Sequence, residues 1–410
     1  MTQTLWRALV AVLVVDASSC CLPLTAADVF CDVTLSRGAV HSGRIIEWNA
    51  ESLKILGQEL HTLPMHEIAV VEFPAQPPSF TAGTYVVQSH GDRYAISSLR
   101  CADEEFGATW AAAALRPRLS FPLETVAGIL FDLPPAKEVI YAQLARLSRT
   151  PHGRDTARLL TGDDLPGELI GIEGGLVEFD APLGKSKLDQ RRLQSLALDP
   201  ELAAAAALPA SRWVVVFRDG SRGTVKRLVS RDDFSLHLTP LTGDPYFVPW
   251  HAVSRLFQFT PRWRPLSARA PAEVVHTPYL SGTATMERDV NIARRPLSLR
   301  GREYVTGLGM TSRMAATYGI EREDEAFRAV VGIDDHSAGL GSATFHCDVD
   351  GENVWSSPEI DGAQGPLATP LIPLRGHRRM TLRVEFGKSG DIGDFADWCD
   401  AVILQTPPGD

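Results

Sequence analysis

One pattern recurs four times in the first two-thirds of the chain. Self-similarity of this kind constrains a fold more than composition does, because every copy must be one structural unit. Each copy opens on an apolar strand with a glycine-bearing turn and closes on Pro-x-x-x-aliphatic-x-x-aliphatic. The first runs from Val33 to Gly38 and closes at Leu63-Pro64, with Ile68 and Val71 following at that spacing. The second opens at Tyr85 with Gly91 and closes at Phe121-Pro122, with Val126 and Ile129. In the third, from Arg158 to Gly162, Asp189 stands where the proline should be, yet Leu193 and Leu196 keep the spacing. The fourth is the clearest: Trp213 to Gly220, then Val248-Pro249 with Val253 and Leu256.

The copies span about 40 to 50 residues each and read as four or five short strands. Arg37-Gly38 and Asp219-Gly220 suit hairpin turns that need positive φ. Such units are similar in pattern to small Sm-like or SH3-like barrels. Helical spacing of Val139, Ile140, Leu144 and Leu147 predicts a linking helix within 134–153, with prolines at its start, and Asp199-Pro200-Glu201 opens a second. Four prolines in 261–283 predict a linker and a domain boundary. Beyond it, alternation returns. On one arm of a hairpin turning at Asp350-Gly351, Ala343, Phe345, Cys347 and Val349 point one way, while Thr344, His346 and Asp348 point the other. Residues 380–386 alternate as cleanly, and Trp398 to Leu404 form a strand apolar on both faces. The expected architecture is all-β: repeats one and two over 28–133, the helix, repeats three and four over 154–260, the linker, and a β-sandwich or jelly roll over 284–405.

The net charge of −10 leaves no basic footprint for nucleic acid. Residues 1–27 carry one arginine, a short apolar run and a small-residue stretch, the pattern of a signal peptide; Cys20 leaves a lipoprotein as the alternative. Export to periplasm, cell surface or medium is expected either way. No apolar stretch reaches the roughly 20 residues of a transmembrane helix. Beyond residue 27 the cysteines are Cys31, Cys101, Cys347 and Cys399. They allow three pairings; Cys347–Cys399 is the expected disulfide, and buried free thiols are the alternative.

Nothing in the repeats reads as catalytic. Their histidines show no metal-binding pair on a helix, and acidic pairs such as Glu104-Glu105 and Asp163-Asp164 fall at turns. A glycosidase barrel typically takes about 250 residues of alternating strand and helix, whereas 28–260 shows a β repeat.

The segments Tyr304-Val305-Thr306-Gly307-Leu308-Gly309, Val331-Gly332-Ile333-Asp334-Asp335, Gly341-Ser342, Asp350-Gly351 and Asp397-Trp398-Cys399-Asp400-Ala401 together resemble the NPCBM/NEW2 family. The resemblance covers 284–405 and implies a galactose-binding-like β-sandwich that binds carbohydrate. Two positions depart from the family. Thr311-Ser312 stands where it usually has His-Ser, which removes an imidazole from any sugar contact, and Cys399 replaces the alanine of Trp-Ala-Asp. Sugar sites combine a flat apolar face with planar polar groups, and Arg313, Asp335, His336 and Trp355 are the candidate ligand-binding residues. No cofactor is expected beyond a structural calcium, for which Asp391, Asp394 and Asp397 would be the ligands. Residues 296–405 carry 10 Arg and Lys against 17 Asp and Glu, favouring neutral over anionic glycans. The expected function is an exported, non-catalytic glycan-binding protein. The alternatives are an envelope scaffold that binds no sugar and, less favoured, a glycoside hydrolase.

Overall fold

The computed structural model describes residues 29–74, 78–111, 117–149, 153–202, 208–231, 235–278, 284–388, 390 and 392–406. Residues 1–27, the expected signal peptide, lie outside them. Each repeat folds as a five-stranded barrel. In the first, strands Phe30–Leu35, Val40–Trp48, Ser52–Leu56 and Leu60–Pro64 form a meander, and Ile68–Glu72 returns to pair with Phe30–Leu35. The fourth repeats this from Arg212–Phe217 to Val253–Phe259.

The closing motif has a physical cause. A single 3-10 turn separates the last two strands of every barrel: Met65–Glu67, Leu123–Thr125, Gln190–Arg192 and Trp250–Ala252. The residue before it sits at φ −61, −55, −66 and −71 in turn, the range a proline ring fixes. Asp189 holds this conformation without a ring, because its carboxylate accepts a hydrogen bond from the backbone N–H of Arg191 at 2.9 Å. Two aliphatics three apart should face opposite sides of a strand. Instead Ile68 and Val71 share one core, because the pairing register slips between Thr34 and Leu35. The other three barrels carry a register shift at the corresponding edge.

The closing strands also join the barrels. Ile68–Glu72 pairs with Val253–Phe259, linking the first barrel to the fourth, and Val126–Leu133 pairs with Leu193–Ala197, linking the second to the third. Helix α1 (Lys137–Leu147) lays Ile140, Tyr141 and Ala145 inward; Ile140 and Tyr141 pack with Tyr85, Val87, Leu130 and Leu133. After Asp199 the described residues make a turn, and 203–207 lie outside the described set.

The proline-rich stretch is not a separate linker. Trp263–Pro265 pairs with Ala396–Gln405, and Glu273–His276 pairs with Met314–Gly319, so the C-terminal module begins near Trp263. Prolines end or flank these short strands, where a missing N–H breaks no ladder. The module is a sandwich of two antiparallel sheets. One, facing the barrels, centres on Ala396–Gln405 between Gly307–Met310 and Asp324–Ile333. The outer sheet runs Glu273–His276, Met314–Gly319, Arg379–Phe386, Ser342–Val349, Glu352–Ser356. Phe327, Phe345, Leu382 and Trp398 fill the space between.

Ala396–Gln405 is buried on both faces. Trp398, Ala401 and Ile403 enter the sandwich core, while Val402 and Leu404 pack with Val70, Val214, Val216 and Phe257 of the barrels. This division excludes the expected disulfide. Cys347 lies inside the sandwich core, whereas Cys399 points out of the other side of its sheet toward Leu297, Leu299 and Tyr304. All four described cysteines are buried free thiols, and burial pushes Cys347 up to about 12. Among the described residues no helix is long and apolar enough to cross a membrane.

Candidate functional site

The outer sheet turns one face to the core and one to solvent, and alternation decides which residues lie on each. Thr344, His346 and Asp348 stand on the solvent side of Ser342–Val349, opposite Glu385, Arg383 and Thr381 of the neighbouring strand. Their side chains form a continuous network. Arg383 donates from Nε to Asp348 at 2.6 Å and from Nη1 to Glu385 at 3.2 Å. Asn353 donates to Asp348 at 2.9 Å and Ser356 to Asn353 at 2.9 Å. The His346 ring nitrogens meet Ser356 at 2.7 Å and Thr344 at 3.1 Å.

The charge states follow from these contacts. Burial and the Arg383 charge lower the His346 pKa, so the ring is neutral near pH 7. Partial burial opposes ionisation of Asp348, but the Arg383 hydrogen bond outweighs it and holds the carboxyl below its usual range. The result is a flat, half-exposed array of guanidinium, carboxylates, imidazole and amide. Such groups match the paired donors and acceptors of vicinal hydroxyls.

The four candidate ligand residues separate into three places. Arg313, in a left-handed conformation (φ 58) before Met314–Gly319, extends the array: its Nε lies 4.0 Å from Glu385 and its guanidinium 5.7 Å from the Phe386 ring centre. Trp355 belongs to the core wall, edge-on to Trp398 at 6.1 Å. Asp335 is taken up at the joint with the barrels, accepting from Lys137 at 3.1 Å, Ser298 at 2.5 Å and the Gly301 N–H at 2.8 Å. His336 lies at the same joint, stacked on Phe395 at 5.3 Å. His346, Asp348, Asn353, Arg383 and Glu385, all on strands of the outer sheet, are not among the sequence candidates. The alternation of 343–349 and 380–386 was the signal that places four of them on one solvent face.

Ser312, next to the departing Thr311, is buried and bonds to Asp394. Asp394 also accepts from the Ser342 N–H at 2.8 Å, which spends it on loop closure. Asp397 belongs elsewhere, against Asp334, and Asp391 lies outside the described residues. Among the described residues no group of three or more acidic, His or Cys side chains could hold a metal ion. Asp334 accepts from Asn291 and from the His336 and Ser298 N–H groups. The Asp397 carboxyl finds no donor; burial first, then the Asp334 charge, push its pKa well up, so it keeps its proton. The Asp334-Asp335 and Asp397-Trp398 motifs therefore meet on adjacent strands as structural elements.

Residues 273–404 match the NPCBM/NEW2 domain family. The C-terminal part of the chain is an NPCBM/NEW2 domain, a β-sandwich beside four small barrels. A protein of Renibacterium salmoninarum named endo-alpha-N-acetylgalactosaminidase is 32% identical over 113 residues, 28% of this chain. The match spans 7% of that relative's length. Among solved structures, the CBM51 from Clostridium perfringens GH95 in complex with methyl-galactose aligns over 35% of this chain and 99% of its own, at 21% identity and TM-score 0.32. The CBM51-2 and INT domains of Clostridium perfringens ZmpB, in complex with GlcNAc, align over 44% and 40%, at 20% identity and TM-score 0.32.

Proposed function

We propose that this chain is an exported, non-catalytic protein that binds neutral glycans through the solvent face of its NPCBM domain. One observation carries the reading: five planar or charged groups, Arg383, Asp348, Glu385, His346 and Asn353, stand side by side on a rigid sheet. Protein–sugar recognition needs such groups held in place before the ligand arrives. Arg313 and the Phe386 ring close one end of the array, and the four barrels act as the platform that presents it. The signal-like segment 1–27 supports export.

The name of the Renibacterium relative makes glycans bearing N-acetylgalactosamine the first to test. A glycan array probed with the full chain at micromolar concentration is the experiment. Binding to a defined set of neutral glycans supports the reading. Binding to none overturns it in favour of an envelope scaffold whose sandwich makes protein contacts. Release of reducing sugar from a bound glycan would overturn the non-catalytic part alone.

A further inference from the structure

The contact between helix α1 and the sandwich leaves a cleft of about 300 Å³, and its lining is unusual in charge. Arg146 and Arg149 reach it from the C-terminal end of the helix, Arg295 and His336 from the sandwich, and the rest of the wall is alanine. Among the described residues the lining contains no carboxylate. Outside the lining, Glu138 sits 3.6 Å from Arg295 and is largely exposed, and Asp334 accepts a hydrogen bond from the His336 N–H. Three guanidinium groups gathered in one concave space repel one another.

Their own bonds leave most donors open. Arg146 gives one hydrogen bond to Gln194 at 3.2 Å, and Arg149 gives one to the Ala293 carbonyl at 3.1 Å. A guanidinium carries five N–H donors in a planar fork that suits two oxygens of one anion. The joint beside the cleft is fixed by the Lys137 bonds to Asp335 and Ser298, and stacking on Phe395 holds the His336 ring. The groups are therefore gathered from two domains, and the Lys137 bonds fix the joint beside them.

We propose that this cleft binds an oxyanion, the sulfate, phosphate or carboxylate group of a small ligand. The site is separate from the neutral array on the outer sheet, and neither depends on the other. The low positive content of 296–405 does not bear on it, since Arg146, Arg149 and Arg295 all lie outside that stretch.

Calorimetric titration of the full chain at constant ionic strength tests this, with inorganic sulfate, galactose 6-sulfate and galactose as probes. The variants are Arg295→Gln, the double variant Arg146→Gln with Arg149→Gln, and Arg322→Gln as a charge control away from the cleft. Sulfate binding is expected for the unaltered chain, weakened about tenfold or more by either cleft variant and unchanged by Arg322→Gln. Tighter binding of galactose 6-sulfate than of sulfate assigns the anion to a sugar; binding of inorganic sulfate alone assigns it to a free ion. Both support an oxyanion site. Absence of anion binding at millimolar concentration, or equal loss in Arg322→Gln, overturns it. Arg146 and Arg149 are exposed, so the double variant decides the matter if Arg295→Gln fails to fold.

Discussion

Glu303 of the sandwich accepts hydrogen bonds from both terminal nitrogens of Arg93 in the second barrel, at 2.6 and 3.1 Å, with both side chains shut away from solvent. Tyr141 of α1 donates to the same carboxylate at 2.5 Å, and Arg255 of the fourth barrel donates to the Glu303 backbone carbonyl at 2.6 Å. Two barrels, the helix and the sandwich therefore meet on one residue, which makes the joint a fixed one.

Glu303→Gln leaves Arg93 buried without its counter-charge, and the expected cost is about 3–5 kcal/mol of stability. Burial opposes ionisation of Glu303, but the Arg93 and Arg222 charges outweigh it and bring its pKa from 4.5 to about 2. A lowered carboxylate pKa stabilises the fold fully above pH 4.5, and the contribution fades as pH falls toward 2. Denaturant unfolding between pH 3 and 7 should show a steeper acid loss in the unaltered chain than in Glu303→Gln. Parallel curves would refute the assignment.

Asp397 gives the opposite sign. Its raised pKa favours the protonated fold, so stability falls as pH rises from the usual carboxylate range toward the folded value. Asp397→Asn removes the titration and should raise the melting temperature at pH 8. That gain should shrink on acidification to pH 4; a variant less stable at both values contradicts the picture.

Trp355→Ala separates a packing role from a ligand role for this side chain. The ring packs on the core from a half-buried position, so roughly 2 kcal/mol of stability should be lost, less than for a fully buried tryptophan. Glycan affinity should stay within about twofold of the unaltered chain. A selective loss of affinity at unchanged stability would return Trp355 to the ligand site.

Gly309→Ala should destabilise the sandwich by about 1–3 kcal/mol, because its Cβ would lie 2.5 Å from the Val290 carbonyl and 2.6 Å from the Asn291 backbone. Thermal unfolding of the variant measures this, and an unchanged melting temperature would contradict the packing described.

The four barrels were legible because each closing motif is a local device: a residue held near φ −65, a 3-10 turn and a bulged strand. How the barrels pair, first with fourth and second with third, was not, since Leu256 facing Val71 is a contact between distant segments that no period encodes. The prolines of 261–283 hid two strands by suppressing the strand signal at their ends. The disulfide expectation failed on the same ground as the pairing. Cys347 and Cys399 sit in adjoining sheets, but Trp398 takes the core-facing position and turns its neighbour outward. Of the proposed face, the alternation of His346 and Asp348 was visible, while the opposing Arg383 became a partner only once the strand register was known.

Arg383→Ala is the most direct test of the proposed face, because Arg383 ties Asp348 to Glu385 while its side chain remains about one-third exposed, so the fold should survive its loss. Titration of the full chain with the tightest neutral glycan from the array should show affinity falling about tenfold or more in the variant, at an unchanged melting temperature. Equal affinity in variant and unaltered chain would contradict the account.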